Sequence, residues 1–270
     1  MEFRTVVDIP KPNFEIRPCE ALLFVGSCFA DSIGQCFREE GFPVTVNPYG
    51  TMYNPASVLH TIERCQVAPR IAFITLGTNH VYRLKETGEI VDNCQKRPQS
   101  LFQEEQLTVE ACADYLRRAV EVLKARNPEV HVVMTVSPIR YRKYGYHESC
   151  LSKATLLLAI EELVAHSSPE ASSLYYFPAY EIVLDELRDY RFYASDMLHP
   201  SQQAVDYIWE RLVETCFSPE AKAYLKEWQP LKQVLGHKPF APEAEEYKNL
   251  MDKTMLKVAE LRKKYPTFAL

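Results

Sequence analysis

Apolar and polar positions follow two rhythms along this chain, and the rhythms alternate. Short, nearly continuous apolar runs stand at 21–25, 71–76 and 130–136. Between them, apolar side chains recur every three or four positions, the spacing of one helix face. Residues 21–25 predict a first strand that ends at Gly26-Ser27. Residues 29–39 place Phe29, Ile33, Cys36 and Phe37 on one side and predict a helix, closed by Gly41 just past its end. Residues 43–47 read as a second short strand. Residues 55–65 read as a helix with Asn54 as cap and Pro55 in the first position. Strands at 71–76 and 130–136 bracket a long amphipathic helix at 108–124, with Thr108 able to cap it. A helix at 152–164, a weaker strand at 174–177 and a helix at 200–217 follow. In the last, Ala204, Ile208, Leu212 and Cys216 are spaced by four.

Apolar strands alternating with amphipathic helices predict an α/β fold, a parallel sheet covered on both faces. Ligands of such sheets bind beyond the carboxyl ends of the strands. Attention therefore falls on Gly26-Ser27, on 47–50, on Gly77-Thr78-Asn79 and on 137–140. After Phe217 the pattern changes. Ser218-Pro219-Glu220 starts another helix, 236–242 is a break, and 242–264 is a charged helix. Its stripe of Tyr247, Met251, Thr254, Val258 and Leu261 is narrow. We divide the chain into a main domain at 1–217 and a helical extension at 218–270. The stripe suits docking on the main domain, with a homodimer through these helices as the other option.

Composition narrows the function classes. Of 270 residues, 47% are hydrophobic and 25% charged, which fits a globular chain rather than a disordered one. The formal net charge of −5 argues against a nucleic-acid partner, which calls for a basic face. No apolar run approaches the roughly 18–20 residues of a membrane span. The first residues lack the apolar core of a signal peptide, so the expectation is a cytoplasmic chain. Eight cysteines at irregular spacing, without a CxxC pair, read as reduced and mostly buried thiols. No metal-ligand spacing stands out.

Candidate chemistry lies in four places. Ser27, in Gly26-Ser27-Cys28-Phe29-Ala30, sits where a strand turns into a helix, so the helix dipole favours negative charge beside it. A serine there suits a nucleophile and equally a helix cap. Asp196 stands three residues before His199, close enough to fix the imidazole by its Nδ1–H and leave Nε2 as a base. An ordinary surface turn has the same look. Pro200 keeps both on a loop. Asn79 and Gly50 close two further strand ends, where an amide can meet an oxyanion, although Gly and Asn are also common turn residues. Cys28 is an alternative nucleophile, but we expect its side chain to pack between helix and sheet. Arg140 and Tyr82 suit a pocket wall or a structural contact. Arg188, Asp189 and Arg191 read as a solvated charge run.

Together, and in this chain order, GSCFA (26–30), NPYGTMYNP (47–55), TLGTNHVY (75–82), TVSPIR (135–140) and DELRDYRFYASDMLHP (185–200) resemble the GSCFA family. That family lies within the SGNH (GDSL-like) hydrolase superfamily, and the resemblance spans about residues 15–215. It implies a flavodoxin-like α/β/α sandwich on a five-stranded parallel sheet. It implies hydrolysis of esters, thioesters or O-acetyl groups on glycans without metal or organic cofactor. Ser27 would be the nucleophile, His199 the base and Asp196 its orienting partner. The Ser27 and Gly50 backbone amides and the Asn79 side chain would form the oxyanion hole. The chain departs from the pattern in three places. Gly26 precedes the serine where GDSL-type blocks have Asp, His80 follows Asn79 where Asp is usual, and Gln95 stands where the family often has His. The expected substrate is a small ester such as an acetyl ester on a sugar. A non-catalytic glycan-binding module on the same fold and an O-acyltransferase using the same triad are the alternatives.

Overall fold

Strand β1 (Leu22–Gly26) turns directly into helix α1 (Cys28–Glu39), and the chain then repeats that exchange. β2 (Val44–Val46) precedes α2 (Pro55–Arg64). β3 (Ile71–Leu76) leads into a small antiparallel sheet of β4 (His80–Leu84), β5 (Ile90–Val91) and β6 (Phe102–Gln106). Then come α3 (Val109–Arg126), β7 (His131–Val136), α4 (Tyr146–Ala165) and β8 (Leu174–Tyr176). A helical turn α5 (Ala179–Glu181) runs into a π-helical stretch, Ile182–Leu187. Helices α6 (Gln202–Cys216), α7 (Pro219–Gly236) and α8 (Glu245–Lys264) complete the chain. The structure, a computed structural model, describes residues 4–92, 94, 97–165, 173–240 and 243–269.

The fold is α/β, with a five-stranded parallel main sheet in the order β2-β1-β3-β7-β8. Numbered among themselves, the five strands run 2-1-3-4-5, the flavodoxin-like order. Successive side chains of a strand point to opposite faces, so each apolar strand feeds two cores. Leu22, Phe24, Ile71 and Phe73 face α1, α6 and α7. Leu23, Val25, Ala72, Ile74 and Leu76 face α2, α3 and α4. Phe24 stacks on Phe73 across β1 and β3, with centroids 4.5 Å apart. The helix starts obey local chemistry. Ser27, Asn54, Thr108, Ser201 and Ser218 each accept a backbone N–H of the first turn.

Two regions depart from the periodicity. The small sheet occupies 80–106, where the periodicity predicts no strand. β6 reads FQEEQ, so four of its five residues are polar and no apolar alternation shows. Pairing with β4 and an Arg83–Glu105 ion pair at 2.5 Å hold it instead. Helix α4 begins at Tyr146, earlier than the expected 152. Ser149, Ser152 and Lys153 are buried on its inner face, and these polar residues hide the stripe.

The C-terminal helices lie against the end of α1. Tyr224 Oη donates to the Glu40 carbonyl (2.6 Å) and Trp228 Nε1 to that of Glu39 (3.1 Å). Of the α8 stripe, Thr254, Val258 and Leu261 are buried and Tyr247 and Met251 half-buried, while Leu250, Met255 and Leu256, off the stripe, stay exposed. The final residues return to the turn after α1, where Ala269 N donates to the Gly41 carbonyl at 2.9 Å. Gly41 has φ +75°, and a Cβ there would lie 2.2 Å from the Phe268 ring. Gly41→Ala combines left-handed strain with overpacking and is expected to destabilise by about 3 kcal/mol. A urea melt reads this as a lower midpoint at unchanged slope. No helix among the described residues is long and apolar enough to cross a membrane. All eight cysteines are free; four are buried, three half-buried and Cys150 exposed.

Candidate active site

In an open parallel sheet the chain order reverses at one point, and a crevice opens there beyond the carboxyl ends of the strands. Here the reversal lies between β1 and β3. Ser27 follows the one strand, and Gly77-Thr78-Asn79 follow the other. Ser27 is buried and caps α1, its Oγ accepting from Phe29 N at 3.3 Å. The same Oγ lies 3.2 Å from Thr75 Oγ1. Gly26 makes this turn at φ +146°, and a Cβ there would meet the Thr75 carbonyl oxygen at 2.1 Å. The position that carries Asp in GDSL-type blocks therefore has no room for a side chain in this chain.

Two neighbours fix the turn. Asn47, at φ +41°, accepts from Gly26 N through Oδ1 and donates to Asp31 through Nδ2, both at 2.9 Å. Gly50 N donates back to the Asn47 carbonyl at 2.9 Å. Ser27 N continues the strand pairing and donates to the Thr75 carbonyl (2.9 Å) and to Thr75 Oγ1 (3.1 Å). Both backbone amides expected in an oxyanion hole are thus engaged within the protein. Asn79 is buried, and its Nδ2 donates to the Leu107 carbonyl at 2.8 Å. A primary amide has a second N–H to offer. Asn79 Oδ1 is buried without a hydrogen-bond partner among the described residues.

Asp196 and His199 meet as the spacing suggested. His199 Nδ1 lies 2.5 Å from Asp196 Oδ2. Asp196 Oδ1 accepts the Leu198 and His199 backbone amides at 2.9 and 3.0 Å. Those amides, and then the imidazole, hold the Asp196 carboxyl down at about 2. The pair sits on a loop, both side chains close to half exposed, with Met197 between them at φ +60°. Arg140, just past β7, ties this loop down. Its N donates to the Leu198 carbonyl at 3.0 Å and its guanidinium to that of Met197 at 3.1 Å. His199 Nε2 has no hydrogen bond among the described residues, and Ser27 and His199 are not bonded to each other. Ser27 follows β1, whereas the His199 loop is tied to Arg140 beyond β7, two strands away in the sheet.

Cys28 departs from expectation. Its thiol is half-buried and lies 3.5 Å from Tyr53 Oη, outside the helix–sheet core. The next residues, Phe29 and Ala30, turn inward in its place. His80 is buried and stacks on Tyr144 at 4.0 Å, with Nδ1 3.5 Å from a Glu104 oxygen; burial pushes its imidazole down. Tyr82 bonds Tyr144 Oη at 2.9 Å and also bonds Lys143 Nζ. Arg188 pairs with Asp185 at 3.7 Å and Arg191 with Asp189 at 4.0 Å, as exposed ion pairs. Asn93, Gln95, Lys96 and His166 lie outside the described residues.

Three residues with no role assigned from the motifs complete the surroundings: Asn47 and Thr75, which open two of the motif blocks, and Lys153, which stands outside them. Thr75 and Asn47 hold Ser27 and Gly26. Lys153 is buried on α4 and donates to the Ser137 carbonyl at 2.7 Å. Burial pushes its ammonium down to about 7. Its position was legible, because 153 shares a helix face with Leu156, Ile160 and Leu163.

Family models match most of the chain. One, for the GSCFA family, matches residues 21–70 and 66–212; another, described as the GSCFA domain protein, C-terminal domain, matches 228–270. No curated protein matches the chain. Among solved structures, a carbohydrate esterase family 3 protein from Talaromyces cellulolyticus is 11% identical, with TM-score 0.45, covering 77% of this chain and 99% of that one. A GDSL-like lipase from Bacteroides thetaiotaomicron is 15% identical, with TM-score 0.46, covering 77% of this chain and 88% of that one. With 21–212 and 228–270 matched, the chain belongs to the GSCFA family.

Proposed function

We propose that this protein is a serine acyl hydrolase that cleaves a small ester, such as an acetyl ester on a sugar, through Ser27, His199 and Asp196. The observation that carries this reading is the Asp196–His199 pair. Its 2.5 Å contact turns one imidazole nitrogen to the carboxylate and leaves Nε2 unbonded at the carboxyl edge of the sheet. Ser27 stands at the same edge, at the helix N-terminus beside the switch point.

The reaction runs in two steps. Ser27 Oγ bonds to the ester carbonyl carbon while His199 Nε2 takes its proton. The carbonyl electrons move to oxygen, then return as the alcohol leaves with the proton from His199. Water next attacks the acyl-enzyme, again with His199 as base, and the acid departs from Ser27. Asn79 offers its second amide N–H to the oxyanion without giving up its bond to Leu107. Ser27 N and Gly50 N serve only once their bonds to Thr75 and Asn47 open. Catalytic contacts are often long in a free enzyme and tighten around substrate, so Ser27 must exchange its Thr75 partner for His199.

Asp196→Asn tests the dyad. It leaves Nδ1 an acceptor-donor amide in place of a carboxylate and is expected to cut kcat by roughly 100- to 10,000-fold. In the wild type, Asp196 stays ionised down to about pH 2. Activity lost on the acid side above that pH is therefore not lost through Asp196. A steady-state pH profile on p-nitrophenyl acetate checks both. A kcat unchanged in the variant would remove the dyad from the mechanism.

A further inference from the structure

Beside the Asp196–His199 loop lies a second group of side chains that the triad does not use. A cavity of about 280 Å³ opens between α4 and the π-helical stretch, walled by Arg140, Tyr146, Lys153, Tyr180, Tyr190 and Tyr193. Arg140 holds the carbonyls of Met197 and Leu198, and Tyr193 pairs with Pro200. The cavity and His199 thus share a wall.

Lys153 is only 2% exposed, and its Nζ gives a single hydrogen bond, to the Ser137 carbonyl. The Tyr180 ring lies 6.0 Å from it. The Arg140 guanidinium lies over Tyr146 at 4.1 Å and over Tyr193 at 5.4 Å. Neither cation has a carboxylate partner among the described residues. At the rim, Arg188 is paired with Asp185 and Asp189 with Arg191. Arg140, and Lys153 wherever it is protonated, therefore face one small cavity without a counter-ion. A buried charge without a partner is costly, and a ligand carboxylate supplies the partner. Tyrosine walls offer flat apolar faces together with hydroxyls, which suits a sugar ring. The volume falls just under the roughly 300–1,000 Å³ of drug-sized pockets, so one ring fits rather than a chain.

We propose that this cavity binds the carboxylate-bearing unit, a hexuronic acid, of an O-acylated acidic glycan, with Lys153 and Arg140 holding the carboxylate; as a substrate subsite it rests on the acyl-hydrolase reading. Calorimetric titration with methyl glucuronide and methyl glucoside tests it without any turnover. The glucuronide is expected to bind at least 10-fold more tightly to the wild type. Lys153→Met and Arg140→Gln are each expected to remove at least 10-fold of its affinity. Lys153→Met is also expected to raise the melting temperature, so weaker binding there does not report unfolding. Equal affinities, no binding of either sugar, or full glucuronide affinity in Lys153→Met would overturn the proposal. Turnover of acetylated methyl glucuronide is read separately and is expected to exceed that of the acetylated glucoside at least 10-fold in kcat/KM. A protein that binds the glucuronide yet cleaves no ester loses the hydrolase reading, not the cavity. A protein that cleaves both esters alike keeps the hydrolase reading and loses the cavity.

Discussion

Ser27→Ala is expected to remain folded and to lose roughly 10,000- to 1,000,000-fold in kcat for ester hydrolysis, the loss that follows removal of a nucleophile from a working triad. The structural cost is small. Ser27 Oγ gives α1 one capping bond, to Phe29 N at 3.3 Å, and losing a cap costs about 1 kcal/mol. Circular dichroism separates that cost from unfolding. Cys28→Ser is the needed companion, because the Cys28 thiol is half-buried beside Tyr53 rather than sealed in the core. It is expected to keep activity within a few-fold. If it instead abolished activity while Ser27→Ala did not, the nucleophile would be the thiol.

Lys153→Met is expected to make the protein more stable at pH 7. Burial holds the folded-state ammonium down to about 7, against 10.5 for a solvated lysine. Above about pH 10.5 the lysine is neutral in both states and adds nothing. Between there and pH 7 the unfolded chain takes up a proton that the folded chain does not. Stability then falls by about 1.4 kcal/mol per pH unit, and by roughly 4–5 kcal/mol across the window. Below pH 7 both states are protonated and the penalty stays constant. Methionine removes that penalty but leaves the Ser137 carbonyl without its donor, about 1–2 kcal/mol. The net gain at pH 7 is therefore roughly 3 kcal/mol, or about 5–10 °C in Tm. Urea melts of both proteins at pH 7 and pH 10 read it. The gap should shrink at pH 10, and a gap independent of pH would contradict the buried charge. A lysine kept at such a cost is the kind of stability loss that functional sites carry.

Strands, helices and caps were legible wherever chemistry is local. Near-continuous apolar runs mark β1, β3 and β7, and Ser27, Asn54, Thr108 and Ser218, each before an amphipathic stretch, mark the starts of α1, α2, α3 and α7, while the polar inner face of α4 hid its first six residues. The small sheet stayed hidden because β6 is polar and holds by pairing and by Arg83–Glu105, neither of which has a period. The site divides along the same line. Ser27, Asp196 and His199 stand in short motifs, and the Asp196–His199 contact spans only three residues. Thr75 meets Ser27 from 48 residues away, and only the β1–β3 register brings it there. That register also engages the Ser27 amide, which a motif read alone offers to an oxyanion. Lys153 was within reach, as a lysine in the apolar phase of a helix.

One measurement bears most directly on the proposed triad. Purified protein is treated with a fluorophosphonate, and the labelled peptide is mapped in the wild type, Ser27→Ala and His199→Ala. Stoichiometric label on Ser27, lost in both variants, is the expected result. It would mean that Ser27 reaches His199 in solution, leaving its Thr75 partner. An unlabelled wild-type protein with native circular dichroism would contradict an activated Ser27 and leave the cleft to hold a ligand rather than cleave one.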